Sequence, residues 1–179
     1  MDKLHLIVPC HFGVESVLKR EIIDLGYEIE RVEDGRITFT GDLLAICRAN
    51  VFLRTAERVM IQVGRVKAKT YDELFEAVKA LNWSNFIPEN GKFWVKKASS
   101  VKSKLFSPSD IQRIVKKAIV ENLKQEYGVS WFSEDGASYP IRVFFYKDEA
   151  VIALDTSGES LHKRRFRLFS LYTACTPIF

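Results

Sequence analysis

The sequence predicts an α+β fold made of two small domains, and three observations support this class. Short β-type apolar runs alternate with segments whose apolar residues recur at helical spacing. The elements of the first third follow the order strand, helix, strand, strand, helix, strand. Positive charge is concentrated in the rest of the chain, which indicates a second domain with a different surface. With 179 residues and 47% hydrophobic content, the chain can bury a substantial core.

The first 65 residues are predicted to form one βαββαβ unit. The first helix ends at Gly26, a residue type that commonly caps helix C-termini, and the pair Asp34-Gly35 predicts a tight hairpin turn. This order is that of the ferredoxin-like split βαβ arrangement. The predicted elements are strand 4–10, helix 13–25, strands 27–33 and 36–40, helix 42–50 and strand 57–64.

The second part is predicted to contain two helices and three strands. Ser107 suits an N-cap, Pro108 suits the first helical position, and Asp110 places negative charge in the first turn, so a long helix is expected from there. A hairpin is expected around Lys147-Asp148. The predicted elements are helix 71–81, strand 93–98, helix 107–125 and strands 139–146 and 149–155.

Composition excludes several classes of protein. No run approaches the roughly 18 uninterrupted apolar residues of a membrane-spanning helix, and the first residues lack the layout of a signal peptide. We therefore expect a cytoplasmic protein without membrane contact. The three cysteines, Cys10, Cys47 and Cys175, are too far apart for a zinc ribbon and odd in number, so neither a disulfide framework nor a metal site is expected.

Motifs of known catalytic sites were searched for in the sequence. It contains no G-x-G-x-x-G after a strand, no P-loop, no G-x-S-x-G and no H-E-x-x-H. We therefore name no catalytic, cofactor-binding or metal residue. Missing motifs are weaker evidence than present ones, so the question of an enzyme stays open, although we expect no catalysis from this chain alone.

The basic residues carry the main functional signal. Residues 1–64 contain 8 Lys/Arg against 10 Asp/Glu, whereas residues 65–179 contain 19 against 13. Between Gly91 and Val120 there are eight Lys/Arg and a single acid, Asp110. Such a stretch suits a polyanionic partner, although a basic helix face can also be merely solvated, and for this cluster alone both interpretations remain open.

A second basic cluster favours nucleic acid. His162-Lys163-Arg164-Arg165 follows the predicted last strand and the hydroxyl-rich loop 155–158. Two such clusters beside acid-poor loops are typical of an RNA or DNA surface, and we expect them to converge into one outward-facing surface. Lysine ammonium groups and serine hydroxyls suit phosphate oxygens. The predicted RNA-binding residues are Lys97, Lys102, Ser103, Lys104, Ser107, Arg113, Lys116, Lys117, His162, Lys163, Arg164 and Arg165.

Four segments, in order along the chain, resemble the N-terminal part of the THUMP-domain ribosomal RNA guanine-N2 methyltransferases. The likeness spans roughly residues 4 to 167. One departure is Lys163-Arg164-Arg165-Phe166-Arg167, where the family commonly has Lys-Arg-Gly-Tyr-Arg. The segments are FGVE at 12–15 with RE at 20–21 and LGY at 25–27, CRAN at 47–50 with LRTAERV at 53–59, KSKLFS at 102–107, and DTSG at 155–158 with LHKR at 161–164.

The resemblance implies a domain order and a set of partners. It implies a ferredoxin-like domain at 1–65 and an α/β THUMP domain that binds RNA at 66–167, with an uncharged tail at 168–179. In the family a Rossmann-like domain follows, which binds S-adenosylmethionine and transfers the methyl group. We find no motif of that domain in the sequence, so we expect it to be absent and expect no cofactor in this chain.

The expected partner is structured RNA, 23S ribosomal RNA by the resemblance, together with a methyltransferase domain or subunit. Two alternatives stay open. The chain could supply RNA recognition to a separate methyltransferase, or its basic face could bind an acidic protein. For Arg48, Arg54 and Arg58, which lie in a family-like segment, structural salt bridges and RNA contact are both open.

Overall fold

A computed structural model describes residues 3–163, which divide into two compact units. Of the described residues, unit 1 contains 3–62 and 155–163, and unit 2 contains 63–154. In unit 1, the elements are β1 (Leu4–Pro9), α1 (Glu15–Asp24), β2 (Glu28–Glu33), β3 (Arg36–Gly41), α2 (Leu43–Phe52) and the start of β4 (Met60–Lys67). This is the predicted βαββαβ order.

The strands of unit 1 pair in the order β2-β3-β1-β4, all antiparallel. This order places β1 and β3 at the centre, and accordingly Leu6, Ile7, Val8, Ile37 and Phe39 are buried almost completely. Both helices bury one apolar side, which includes Leu18 and Ile22 of α1 and Ala45, Ile46 and Ala49 of α2. Burial of these side chains provides the hydrophobic stabilisation of the unit.

Unit 2 contains the end of β4 and six further elements. They are α3 (Tyr71–Lys79), a 3-10 helix (Trp83–Asn85), β5 (Lys92–Val101), α4 (Pro108–Tyr127), β6 (Ser138–Tyr146) and β7 (Glu149–Asp155, up to Leu154 in this unit). The strands β5 and β6 pair in parallel, and α4 connects them as the helix of a βαβ unit, while β6 and β7 form an antiparallel hairpin. The helix α4 packs on β5 and on α3.

Local sequence signals fix the helix ends. Asp42 caps α2, and its carboxylate accepts a hydrogen bond from the backbone N–H of Ala45 at 2.8 Å. Thr70 and Glu73 form a capping box at α3. Ser107 caps α4 next to Pro108, and Gly128 ends that helix with a left-handed φ of 66°.

The predicted positions of strands and helices are confirmed, with shifts of a few residues at their ends. The largest differences are three residues: β5 extends to Val101 beyond the predicted end at residue 98, and β4 is Met60–Lys67 where 57–64 was predicted. Two short 3-10 helices, Trp83–Asn85 and Leu161–Lys163, were not predicted. Trp83 is fully buried, and its indole N–H donates to the carbonyl of Val78 at 2.8 Å.

Candidate nucleic-acid interface

The loop between β5 and α4 lies against the tip of the β6–β7 hairpin in unit 2. At that tip Lys147 and Asp148 both have positive φ, at 50° and 61°, as the central residues of a type I′ turn require. The backbone N–H of Lys147 donates to the carbonyl of Val101 at 3.3 Å. The loop is therefore held at the hairpin tip by the backbone itself.

Asp148 and Ser103 complete this attachment. The carboxylate of Asp148 accepts from the backbone N–H of Lys104 at 2.7 Å. The hydroxyl of Ser103 donates to the carbonyl of Val101 at 3.1 Å and accepts from the backbone N–H of Asp148 at 3.0 Å. The Ser103 hydroxyl thus makes two hydrogen bonds inside the protein, which fix the shape of the loop.

The lysines of this loop point into solvent. Lys102 and Lys104 are exposed, and Lys102 has a left-handed φ of 52°. Within residues 3–163, neither lysine lies within ion-pair distance of a carboxylate. Lys147 is exposed next to them, with its ammonium group 5.2 Å from the ring centre of Tyr146. Lys102 and Lys104, which were predicted from the sequence, thus lie beside Lys147, which was not predicted.

Lys97 lies on β5 at an irregularity of the strand. The register of β5 against β6 shifts between Val95 and Lys97, so Lys96 occupies an extra position. In a regular strand two adjacent side chains point to opposite faces, but here both Lys96 and Lys97 are exposed. Among the described residues neither forms an ion pair with an acid.

The basic face of α4 is partly neutralised. Arg113 pairs with Asp110 at 2.9 Å, and Lys117 lies 3.9 Å from Glu121. The ammonium group of Lys117 also lies 5.4 Å from the ring centre of Phe75. Lys116 is exposed and, within the described part of the chain, has no ion-pair partner. The opposite side of α4 is buried, at Ile111, Val115, Ala118, Ile119 and Leu123.

The hydroxyl of Ser107 serves the start of α4. It accepts from the backbone N–H of Asp110 at 3.4 Å and lies 3.1 Å from the hydroxyl of Ser109. The N-terminus of α4 is already capped and has Asp110 beside it. It should therefore bind an external anion more weakly than an uncapped helix N-terminus would. The predicted role of Ser107 as a phosphate donor therefore competes with its role as the helix cap.

The second predicted cluster belongs to unit 1. His162 and Lys163 are exposed on the 3-10 helix Leu161–Lys163, whereas Arg164 and Arg165 lie outside the described residues. The backbone N–H of Leu161 donates to the carbonyl of Glu57 at 2.9 Å, which ties this helix to unit 1. Because the two predicted clusters belong to different units, their expected convergence into one surface stays a prediction.

Arg58 organises the segment that leads to this helix. Its guanidinium forms an ion pair with Asp155 at 2.7 Å and donates to the carbonyl of Gly158 and the hydroxyl of Ser160, each at 2.8 Å. The Arg58 side chain is 11% exposed and that of Asp155 is completely buried. Of the two roles left open for Arg58, the structure shows the structural salt bridge.

Asn50 and the hydroxyl residues of the segment continue this network. Ser157 donates to the side-chain oxygen of Asn50 at 2.7 Å, and Thr156 donates to the carbonyl of Val59 at 2.7 Å. All these side chains are buried. The hydroxyl-rich loop 155–158 is thus engaged in unit 1 rather than open to solvent, apart from the exposed Gly158.

Residues 3–163 contain no group of three or more His, Cys, Asp or Glu side chains arranged to hold a metal ion. Nor is any helix in that part of the chain both long and apolar enough to span a membrane.

Comparison with protein families identifies both parts of the chain. A family model described as the RlmL ferredoxin-like domain matches residues 5–60, and one described as the THUMP domain matches residues 68–155. Both matches agree with the resemblance stated from the sequence motifs.

Curated relatives extend the likeness over nearly the whole chain. YpsC of Bacillus subtilis (strain 168), a candidate RNA methyltransferase by its name, is 54% identical over 94% of this chain and 44% of its own length. A tRNA (guanine(6)-N2)-methyltransferase of Methanocaldococcus jannaschii is 29% identical over 88% of this chain and 43% of its own length. The ribosomal RNA large subunit methyltransferase K/L of Pseudomonas aeruginosa is 31% identical over 93% of this chain and 23% of its own length.

Solved structures also match most of this chain. A candidate methylase from Clostridium difficile 630 matches with a TM-score of 0.90 and 51% identity, over 92% of this chain and 44% of that one. A candidate methyltransferase named SMU.472, solved in complex with SAH, matches with a TM-score of 0.87 and 39% identity, over 92% of this chain and 44% of that one. The chain thus spans less than half the length of these relatives.

These comparisons correct one prediction. We expected a fold class from which the Rossmann-like methyltransferase domain is absent, and that statement is wrong. The relatives that match more than nine tenths of this chain are described as methyltransferases, and they are more than twice as long as the matched part. RNA-recognition domains and catalytic domains are separate folding units. The sequence of the ferredoxin-like and THUMP domains therefore carries no information about a methyltransferase domain.

The RlmL ferredoxin-like domain and the THUMP domain account for most of the described residues, and the relatives include rRNA and tRNA guanine-N2 methyltransferases. The chain therefore contains the RlmL ferredoxin-like domain and a THUMP domain, and over most of its length it is similar to RNA methyltransferases.

Proposed function

We propose that this chain is the RNA-recognition part of an S-adenosylmethionine-dependent ribosomal RNA guanine-N2 methyltransferase, and that the basic side chains of unit 2 bind the RNA backbone. One observation carries the proposal. Within a matched THUMP domain, Lys97, Lys102, Lys104 and Lys116 are exposed and have no carboxylate partner among the described residues. Uncompensated ammonium groups on a surface attract phosphates.

The names of the relatives support the substrate class. One acts on ribosomal RNA of the large subunit and another on a tRNA guanine, by their names. We propose ribosomal RNA as the RNA that this protein binds. Tighter binding of tRNA than of ribosomal RNA would indicate tRNA instead. The domain boundaries that we propose are those expected from the sequence, 1–65 and 66–167, with the tail at 168–179.

S-adenosylmethionine would supply the methyl group, since a solved relative was crystallised with SAH. We assign no residue of this chain to that cofactor. In unit 1 the loop between β1 and α1 holds a single glycine, Gly13, and the carboxylate of Glu15 already accepts from the backbone N–H groups of Gly13 at 2.8 Å and Gly35 at 2.9 Å. We assign no methyl-transfer step to these residues.

The same loop shows how firmly its shape is fixed. Hydrogen bonds from the backbone N–H groups of Glu15 itself, Gly35 and Gly13 lower the pKa of the Glu15 carboxyl, which keeps it ionised at physiological pH. A carboxylate that is committed to backbone N–H groups has a structural role.

Binding of the protein to 23S ribosomal RNA fragments tests the proposal. Affinity should fall steeply with salt, with a slope of log affinity against log salt of about −0.9 per phosphate contacted on a duplex. Charge reversal of Lys116→Glu with Lys117→Glu should weaken binding and flatten this slope. The matched control is Lys19→Glu with Arg20→Glu, an adjacent exposed basic pair on α1 of unit 1.

Equal losses in the two variant pairs would contradict a contribution of the α4 face to RNA binding. Equal affinity for an acidic protein and for RNA, measured side by side at the same salt, would contradict RNA recognition itself. A methyl group found on a ribosomal guanine N2 after incubation of the full-length protein with S-adenosylmethionine would support the activity, and its absence from that position would contradict it.

A further inference from the structure

Asp148 joins three chain segments of unit 2 through three of its own groups. Its backbone N–H donates to the hydroxyl of Ser103 at 3.0 Å, and its carboxylate accepts from the backbone N–H of Lys104 at 2.7 Å. Its carbonyl accepts from the backbone N–H of Ala68 at 3.0 Å. The end of β4, the loop between β5 and α4, and the hairpin tip therefore meet at one aspartate.

Each of the three segments carries exposed lysines. These are Lys67, Lys69, Lys102, Lys104 and Lys147, which we call the Asp148 lysine cluster. Two of the neighbouring acids are already engaged: Glu149 pairs with Arg65 at 2.8 Å, and the carboxylate of Glu73 accepts from the backbone N–H groups of Lys69 and Thr70. Among the described residues, no cluster lysine forms an ion pair.

We propose that the Asp148 lysine cluster binds successive phosphates of the RNA backbone, and that Asp148 is the positioning residue that holds the three segments in place for it. This inference rests on the proposed function and assigns it to a defined surface. Lys67, Lys69 and Lys147 are added to the residues expected from the sequence. The carboxylate of Asp148 accepts a backbone hydrogen bond among these lysines, which gives it a structural role there.

The turn chemistry supports a binding role for Lys147. A type I′ hairpin requires positive φ at both central residues and favours Asn or Gly there. Lysine at the first position is unfavourable for the turn, and Lys102 in the loop beside it also has positive φ. Two lysines in a conformation that lysine rarely adopts indicate that their charge, and not the turn, accounts for their presence.

The cluster differs from the basic face of α4 in its available charge. On α4, Arg113 and Lys117 have acidic partners, which leaves Lys116 as the freest of the three predicted cations there. The cluster offers five ammonium groups on segments that are joined by backbone hydrogen bonds. We therefore expect the cluster to contribute more of the salt-dependent affinity than the face of α4.

Charge neutralisation tests the location. A labelled hairpin from 23S ribosomal RNA is titrated with the protein, and anisotropy gives Kd at several salt concentrations. Lys102→Gln with Lys147→Gln should weaken binding by roughly tenfold or more and reduce the salt slope by about 1 per lysine. The matched control, Lys92→Gln with Lys124→Gln, removes two exposed lysines of the same unit; Lys92 is about 30 Å from the loop along β5.

Two substitutions of Asp148 test its positioning role. If only charge matters, removal of the Asp148 carboxylate should tighten RNA binding. If positioning matters, loss of its hydrogen bond should weaken RNA binding. Asp148→Asn keeps the side-chain acceptor and tolerates positive φ, so RNA binding should be unchanged or tighter. Asp148→Gly keeps the turn conformation, and removes one negative charge, but loses the acceptor for Lys104. If positioning matters, binding of this variant weakens severalfold in spite of the gain in net positive charge.

The outcomes separate the two proposals. Binding of wild-type protein that does not depend on salt would overturn the proposed function and the cluster together. Salt-dependent binding that Lys102→Gln with Lys147→Gln weakens no more than the control does would overturn the cluster alone. Tighter binding by Asp148→Gly, equal to that of Asp148→Asn, would overturn the positioning role. Circular dichroism of each variant confirms that its fold is intact before Kd is compared.

Discussion

Removal of the Arg58 side chain should lower the free energy of unfolding by about 3 kcal/mol. The structure supplies the magnitude. Arg58 is 11% exposed, its ion-pair partner Asp155 is completely buried, and the two lie 2.7 Å apart. Breaking one side of a buried ion pair typically costs about 3–5 kcal/mol because the remaining charge is left without compensation. The partial exposure of Arg58 places the expected value at the lower end.

Urea denaturation followed by circular dichroism measures this effect. With a slope of about 2 kcal/mol per M, Arg58→Ala should lower the midpoint by about 1.5 M. The matched control is Arg54→Ala in the same segment, where the side chain is exposed and only the backbone N–H is bonded, to Glu21. That control should lie within about 0.5 kcal/mol of wild type. Equal midpoints for the two variants would refute the structural role assigned to Arg58.

Three further predictions concern other side chains. Trp83→Phe should lower the free energy of unfolding by about 1–2 kcal/mol, because the carbonyl of Val78 loses its indole donor; an unchanged urea midpoint would contradict this. Glu21→Ala should cost a similar amount, about 1–2 kcal/mol, since its carboxylate accepts from the backbone N–H groups of Arg54 and Thr55, and Lys19→Ala is the control on the same helix. Burial, and then the nearby charges of Glu15 and Glu57, raises the pKa of Cys10 to about 11, so its thiol stays protonated as pH rises through 8. Iodoacetamide at pH 8 should therefore leave Cys10 unmodified in the folded protein, as measured by peptide mass, and modification as fast as in urea would contradict the burial.

Local signals in the sequence were sufficient to predict most elements. Ser107, Pro108 and Asp110 mark the start of α4 because capping depends on residues that are neighbours in the chain. Gly26 and Gly35 were correctly placed at a helix end and a turn for the same reason, and both have positive φ. The ferredoxin-like order of unit 1 followed from element order alone.

Contacts between distant segments could not be predicted in the same way. The parallel pairing of β5 with β6 depends on how α4 folds back, and the bulge that exposes both Lys96 and Lys97 has no local signature. The bonds of Asp148 join residues up to 80 positions apart in the sequence. The sequence places Lys147 in a hairpin turn. Only the three-dimensional structure shows that Lys147 lies beside the lysines of the loop that follows β5.

The fold class could not be predicted completely from these 179 residues. They contain no cofactor motif, but the relatives described as methyltransferases are more than twice as long as the part that matches, so a missing motif does not show that a domain is absent. The motif at 102–107 was informative for a physical reason, because KSKLFS forms the loop that Asp148 holds and the start of α4.

Amide hydrogen exchange of the protein, with and without a 23S ribosomal RNA hairpin, is the most direct test of where RNA binds. Peptides that cover residues 99–105 and 146–149 should exchange more slowly when RNA is bound, while peptides from α1 of unit 1 should be unaffected. Slower exchange confined to unit 1, or none at the hairpin tip under conditions where anisotropy shows saturation, would contradict RNA binding at the Asp148 lysine cluster.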